Sequence, residues 1–316
     1  MSEKRSGMST SAPSDPTGSA RKRADELIPL YRKKVSRTLE PLVREYHASM
    51  LDGTQDEYRK MIELSTKMSL VAHACTEIAG YRYDRRRQTI GILFGACCFL
   101  ADSFIDDFGE QATQQYLARL ERLLTEGWFE IKTDRERLFY VVVARLFAMR
   151  DVLHPTVRQA ILQLFMAQQQ DVELRHMRDP SQHRLRRGEL ELLKQCARNR
   201  SGHAILVLSA FLLPELRATY LTGIFTAGAL IMYIDDHGDC YSDREHNRVT
   251  FMNQVKRPER TLKTIFLAHV RRLSSGLPAG RGRDLLIAFL TRYYLTRVEK
   301  HRQQKVRRAP AWAVYE

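Results

Sequence analysis

The sequence predicts an all-α protein, and three observations lead to this prediction. Apolar residues recur at spacings of three and four through most of the chain, which is typical of amphipathic helices. The 316 residues include only 16 glycines and 10 prolines, too few for the many turns of an all-β domain. No segment alternates between apolar and polar residues as a half-buried strand would. We therefore expect one large helical bundle.

The elements follow one another with short breaks. Residues 1–22 are rich in Ser, Gly, Pro and Thr and predict a disordered leader; the bundle domain is predicted over 23–306 and a tail over 307–316. The first helical pattern begins at Ala24. Later patterns cover 57–80, 88–107, 114–126, 135–153, 155–178, 189–213, 215–235, 258–273 and 281–305. Gly, Pro, Asp or His stands at the breaks, as expected at helix ends.

Two stretches of this pattern, residues 90–105 and residues 204–234, are apolar nearly all round. Helices of this kind lie in the centre of a bundle, with other helices surrounding them. The residues at their ends should therefore lie close to the middle of the domain.

The composition limits the class of protein. A net charge of +14 favours an anionic partner, although the basic stretches 21–23 and 297–308 also fit solvated faces. A reading helix, a zinc pattern and a stacking platform are missing, so nucleic acid is not the expected partner. The five cysteines form no metal-binding spacing and predict reduced thiols. Without a signal core or an apolar run of about 18 residues, we expect a cytoplasmic protein with no stable membrane insertion.

Both central helices carry a cluster of carboxylates. The first cluster reads Asp106-Asp107-Phe-Gly-Glu110, and the second reads Asp235-Asp236-His-Gly-Asp239-Cys-Tyr-Ser-Asp243. In each, a second carboxylate follows the first Asp at i+4, on the same helical face. Stacked carboxylates at the negative end of a helix repel one another, so a cation should offset them. Oxygen-only ligands that leave room for water and phosphate suit magnesium.

These clusters resemble the two metal motifs of class I terpene synthases. The first resembles the aspartate-rich motif DDxx(D/E) and the second resembles (N/D)DxxSxxxE, and their first aspartates are 129 residues apart, as in that family. The sequence departs from the second motif, since Asp239 replaces Ser or Thr and Asp243 replaces Glu. The resemblance implies a single-domain class I isoprenoid-synthase bundle with a central active-site cavity.

The resemblance also implies a chemistry. Three magnesium ions would grip an allylic prenyl diphosphate, farnesyl or geranylgeranyl, and ionise it to a carbocation that cyclises to a terpene. The implied metal ligands are Asp106, Glu110, Asp235, Asp239 and Asp243. Asp107 and Asp236 are expected to accept hydrogen bonds from basic residues. A homodimer is left open.

A diphosphate and a carbocation need further side chains. The implied diphosphate-binding residues are Lys194, Arg198, Arg200, Arg292 and Tyr293; catalytic roles are implied for Asp106, Asp107, Arg198 and the Arg292-Tyr293 pair. Arginine suits phosphate oxygens through its planar fork, and ring faces stabilise positive charge. The expected pocket residues are Phe99, Asp102, Ser103, Phe211, Phe225 and Tyr233. Asp102, one turn before Asp106, either supports a metal ligand or pairs with a buried arginine.

Two alternatives stay open. A prenyl diphosphate synthase, or another prenyl-joining transferase of the same fold, would also use Asp235, Asp236 and Asp239. The Arg-Arg-Gly that follows the first motif in prenyl diphosphate synthases is absent, because this chain continues Gln111-Ala-Thr-Gln-Gln-Tyr. The second alternative is a non-catalytic basic helical protein, which offers no reason for acidic clusters on buried helices.

Overall fold

The computed structural model describes residues 16–52, 56–106, 110–150, 154–176, 185–246 and 248–308, and every structural statement below concerns these residues. Within them the chain forms eleven α-helices and one 3-10 helix (Ala48–Leu51) without a β-strand, which confirms the all-α class. The helices are α1 (Pro16–Tyr46), α2 (Glu57–Ile78), α3 (Arg85–Asp106), α4 (Glu110–Glu126), α5 (Asp134–Met149), α6 (Pro155–His176), α7 (Arg187–Leu212), α8 (Ala218–Glu245), α9 (Phe251–Gln254), α10 (Pro258–Gly276) and α11 (Arg281–Arg308).

Helix α1 begins earlier than the sequence predicts. The predicted leader extends to residue 22, whereas α1 starts at Pro16, a residue type that suits the first turn of a helix. Burial of the α1 face begins only at Ala24, so periodicity could not reveal the first turns. Arg23 anchors this part of α1 by donating to the Glu77 carboxylate of α2 at 2.6 and 2.9 Å. The rest of the predicted leader and residues 309–316 of the predicted tail lie outside the described residues.

Helices α2 and α3 pack closely through small residues. A Cβ atom added at Gly95 of α3 would lie 2.4 Å from Cα of Ser65, and one added at Gly91 would lie 3.3 Å from Cα of Ser69. Such distances mean that the two backbones approach each other where side chains would otherwise separate them. The seam holds α3, and therefore the first acidic cluster, against α2.

An aromatic cluster attaches α4 to this pair. The fully buried ring of Tyr116 lies 4.7 Å from Phe104 of α3, centroid to centroid, and Phe129 and Phe139 complete the cluster. Beside it, Arg119 of α4 pairs at 2.6 Å with Glu136, whose own backbone N–H is capped by Thr133 at 3.2 Å. The start of α4, at Glu110, is thus held close to the end of α3.

Helix α8 does not end at its acidic cluster, contrary to the prediction. It continues from Asp235 to Glu245, about three further turns. The physical reason lies at Gly238, where an added Cβ would be 2.6 Å from Cδ of Arg297 in α11. This glycine allows a close helix approach and is not a stop signal. The repulsion expected at a helix end therefore applies to Asp106, the last residue of α3, and not to Asp235.

The apolar character of α8 reflects its place in the core. In length and composition it is the one helix among the described residues that could cross a membrane, with a mean hydropathy of 1.2 over an 18-residue window. Because 56% of that window is buried, and α7, α10 and α11 pack around the helix, we interpret α8 as a core helix.

Candidate active site

A cavity of about 240 Å³ lies inside the bundle, between helices α2 to α8. Its walls are mostly apolar and include Met68, Phe94, Leu123, Phe139, Phe165 and Phe211. The polar groups on the walls are Asp102, Gln168, Arg200, Ser201 and Asp235. An apolar cavity with a few convergent polar groups is the usual form of a small-molecule site.

The two acidic helices meet at this cavity. Asp102 reaches it from α3 and Asp235 reaches it from α8. Asp106 lies one turn after Asp102, at the end of α3, but its side chain and those of Ser103, Asp107 and Glu110 lie outside what the structure describes. Asp235 of the second cluster therefore lines the same cavity as Asp102, which lies one turn before the first cluster.

The second cluster faces a basic surface of α11. Arg297 donates to Asp235 and also lies 3.4 Å from Asp239, so its guanidinium bridges two turns of α8. Lys300 donates to Asp239. Tyr293 donates its hydroxyl proton to Asp235 and accepts a hydrogen bond from Nε of Arg297 at 3.2 Å. Burial and the nearby Asp239 and Asp236 raise the pKa of Tyr293, which therefore stays a neutral donor.

Lys67 of α2 completes this basic group. Its ammonium lies 4.6 Å above the centre of the Tyr293 ring, a cation–π contact. No carboxylate among the described residues lies within ion-pair distance of it. Burial, together with the charges of Arg297 and Lys300, lowers the pKa of Lys67 to about 8 against the opposing pull of Glu63 and Asp239. Lys67, Arg297 and Lys300, together called the basic group below, give this site more cations than the two carboxylates they face.

A second ionic network lies on the wall formed by α6 and α7. Arg200, whose side chain is 14% exposed, pairs with Asp171 at 2.8 Å. Burial alone would lower the pKa of Arg200, but the carboxylates of Asp171, Asp102 and Asp236 raise it above its ordinary value. One guanidinium of α7 thus interacts with carboxylates of α3, α6 and α8.

The other predicted diphosphate residues lie elsewhere. Arg198 is exposed and lies 5.2 Å over the ring of Phe225, and Lys194 pairs with Glu191 of its own helix at 3.4 Å. Arg292 pairs with Asp25 of α1 and lines a separate surface groove between α1, α10 and α11. Of the predicted Arg292-Tyr293 pair, only Tyr293 reaches the second cluster.

Only one of the aromatic residues predicted to line the pocket does so. Phe211 lines the cavity, but Phe99, Phe225 and Tyr233 are not among its described lining residues. Phe225 covers Gly202, where an added Cβ would lie 2.4 Å from its ring. Tyr233 donates to the backbone carbonyl of Lys194 at 3.0 Å. These two rings pack α7 against α8.

The sequence did not predict that the basic group lies at the site, although Arg297 and Lys300 belong to the basic stretch 297–308. Arg297 follows Tyr293 by one helical turn, and Lys300 follows Arg297 by three residues, so a helical projection from Tyr293 would have selected both. No comparable signal marks Lys67, because only the packing of α2 against α11 brings it there.

Comparison with known proteins adds no assignment, since the chain matches no protein-family model and no curated protein is significantly similar to it in sequence.

Proposed function

We propose that this protein is a metal-dependent class I terpene synthase, which ionises an allylic prenyl diphosphate and cyclises the carbocation. One observation carries the proposal: Asp102 of α3 and Asp235 of α8, each on a helix with an acidic cluster, line one apolar cavity. This arrangement offers carboxylates for a metal–diphosphate group beside a compartment for a hydrocarbon chain.

The donor chemistry of the α8 carboxylates fits magnesium. Asp235 and Asp239 offer only oxygen atoms, lie on successive turns, and already attract the cations Arg297 and Lys300. No group of three or more potential ligands among the described side chains is arranged around a metal position. In this proposal Asp235, Asp239 and Asp243 would hold magnesium from one side, and Asp106 and Glu110 from the other. When bound, the metal supplies Lewis-acid activation of the leaving diphosphate.

The basic group has two tasks in this proposal. Without substrate, Arg297 and Lys300 neutralise Asp235 and Asp239, whose mutual repulsion would otherwise be uncompensated. When a diphosphate binds, its oxygens are more highly charged acceptors for these cations than the two carboxylates are. Tyr293 then keeps its donor role towards Asp235.

The apolar cavity would separate the hydrocarbon chain from bulk solvent. Phenylalanine side chains line it, among them Phe94, Phe139 and Phe211, and aromatic rings can stabilise positive charge. The volume of about 240 Å³ lies below the range of about 300–1,000 Å³ for most ligand pockets. In this proposal the cavity holds a single prenyl chain.

The test is incubation with geranyl, farnesyl and geranylgeranyl diphosphates, each with and without isopentenyl diphosphate and with magnesium or EDTA. We expect magnesium-dependent release of diphosphate and a terpene from a single substrate. A product longer by five carbons would replace the cyclase with a prenyl-joining enzyme. Salt-sensitive binding of any polyanion, without turnover, would favour a basic binding protein instead.

The basic group also makes a stability prediction. We expect Lys67→Met to raise the free energy of unfolding by on the order of 1–3 kcal/mol at pH 7, because an ammonium that is costly to bury becomes an apolar side chain of similar length. The same change should weaken binding of inorganic pyrophosphate with magnesium. Thermal unfolding and calorimetry measure the two effects.

The difference between wild type and Lys67→Met should depend on pH. The folded-state pKa of about 8 lies below the ordinary 10.5, so the penalty is complete below pH 8 and disappears as the pH approaches 10.5. Lys60→Met, at an exposed position of α2, is the matched control and should change neither measurement. A lower stability of Lys67→Met would refute the prediction.

A further inference from the structure

Two polar atoms of the cavity wall are buried without a hydrogen-bond partner in the part of the chain that the structure describes. They are Oε1 of Gln168, an acceptor, and Nε of Arg200, a donor. Leaving a buried polar atom unsatisfied costs about 1–3 kcal/mol. Groups of this kind on an otherwise apolar wall indicate a ligand that both donates and accepts hydrogen bonds.

Gln168 and Arg200 are connected through Asp171. Gln168 lies one turn before Asp171 on α6, and Asp171 holds Arg200 of α7 at 2.8 Å. Asp102 of α3 lines the same cavity, and its charge acts on Arg200. Gln168, Arg200 and Asp102 therefore offer one N–H donor and two oxygen acceptors. A water molecule matches this set, because it accepts one hydrogen bond and donates two.

We propose that Gln168, Arg200 and Asp102 hold a water molecule in the cavity wall, and that this water captures the carbocation, so that the main product is a terpene alcohol. The proposal rests on the proposed terpene synthase function and names the class of its product. Neither acidic motif carries this information, because the three polar side chains come from three helices.

The water oxygen donates a lone pair to the cationic carbon and forms the C–O bond, giving a protonated alcohol. One of its protons passes to the Asp102 carboxylate, which acts as general base. The neutral alcohol leaves, and Asp102 later returns its proton to solvent. The Nε–H of Arg200 orients the water by donating a hydrogen bond to the water oxygen. Oε1 of Gln168 orients it by accepting a hydrogen bond from the water.

Turnover in water labelled with oxygen-18 tests the proposal. With whichever of geranyl, farnesyl or geranylgeranyl diphosphate is consumed, wild type should give an alcohol that carries the label on carbon. We expect Gln168→Leu and Asp102→Asn each to lower the ratio of alcohol to alkene at least tenfold among the products formed. Gln163→Leu, at an exposed position of α6, is the matched control and should keep the wild-type ratio.

A metal-free measurement separates this proposal from the proposed function. Farnesol should raise the melting temperature of wild type more than farnesene does, and Gln168→Leu should remove that difference. Only alkenes from wild type, or an unchanged ratio in both variants, would overturn the water site. If no prenyl diphosphate is consumed, the proposed function fails, and equal stabilisation by farnesol and farnesene would then overturn the water site too.

Discussion

Asp235→Asn is expected to lower magnesium-dependent consumption of a prenyl diphosphate by at least about 100-fold, because mutating even an outer-shell partner of a metal ligand costs about 10–100-fold. Asparagine keeps the shape of the side chain and its carbonyl oxygen, but it removes the negative charge. That charge lies at the cavity and is the point where Arg297 and Tyr293 converge. Steady-state release of diphosphate measures the effect.

The same substitution also disturbs an ion pair, so stability must be measured beside activity. Asp235 is 40% exposed and the Arg297 side chain is 15% exposed, so we expect a loss of roughly 1–2 kcal/mol, less than for a fully buried pair. Asp106→Asn should abolish turnover without breaking the Arg297 contacts. Asp134→Asn, at an exposed position, is the control and should keep full activity. Wild-type rates in both Asp106→Asn and Asp235→Asn would refute the metal assignment.

The helical fold could be predicted from the sequence because apolar periodicity and helix breakers both act locally. Ten segments with this pattern correspond to the ten longer helices of the structure. The four-residue helix α9 was not predicted, since its capping box of Thr250 and Asn253 has no apolar repeat beside it. The predicted end of α8 at residue 235 was wrong because Gly238 does not stop the helix; it allows the close approach of Arg297, 59 residues away.

The candidate site could be predicted only in part, for a similar reason. The acidic clusters are compact in sequence, and two of them on apolar helices form a recognisable pattern. Their basic partners are not compact, since Lys67 and Arg297 are separated by 230 residues and stand among 51 lysines and arginines. Gln168 carries no sequence signal at all, because its significance comes from a missing partner inside a cavity.

The largest stability effect is expected at the seam between α2 and α3. Gly95→Ala places a methyl group 2.4 Å from Cα and 3.0 Å from the backbone nitrogen of Ser65. Neither atom can turn away as a flexible side chain would, so the helices must separate. Alanine favours a helix by about 1 kcal/mol over glycine, but overpacking costs about 1–3 kcal/mol or more, and here it opposes two backbones. We expect a net loss of about 2 kcal/mol in the free energy of unfolding, measured by chemical denaturation.

Gly188→Ala provides the matched control for this substitution. Gly188 is also helical, in the first turn of α7, but an added Cβ meets no atom within 4 Å. The control should therefore leave the free energy of unfolding unchanged or raise it. If Gly95→Ala lowers it instead, the difference comes from the close approach of the helices and not from helix propensity. Because α2 carries Lys67 and Met68 while α3 carries Phe94 and Asp102, a wider seam should also reduce turnover in the folded variant. Equal or greater stability of Gly95→Ala would mean that α2 and α3 do not meet through this glycine.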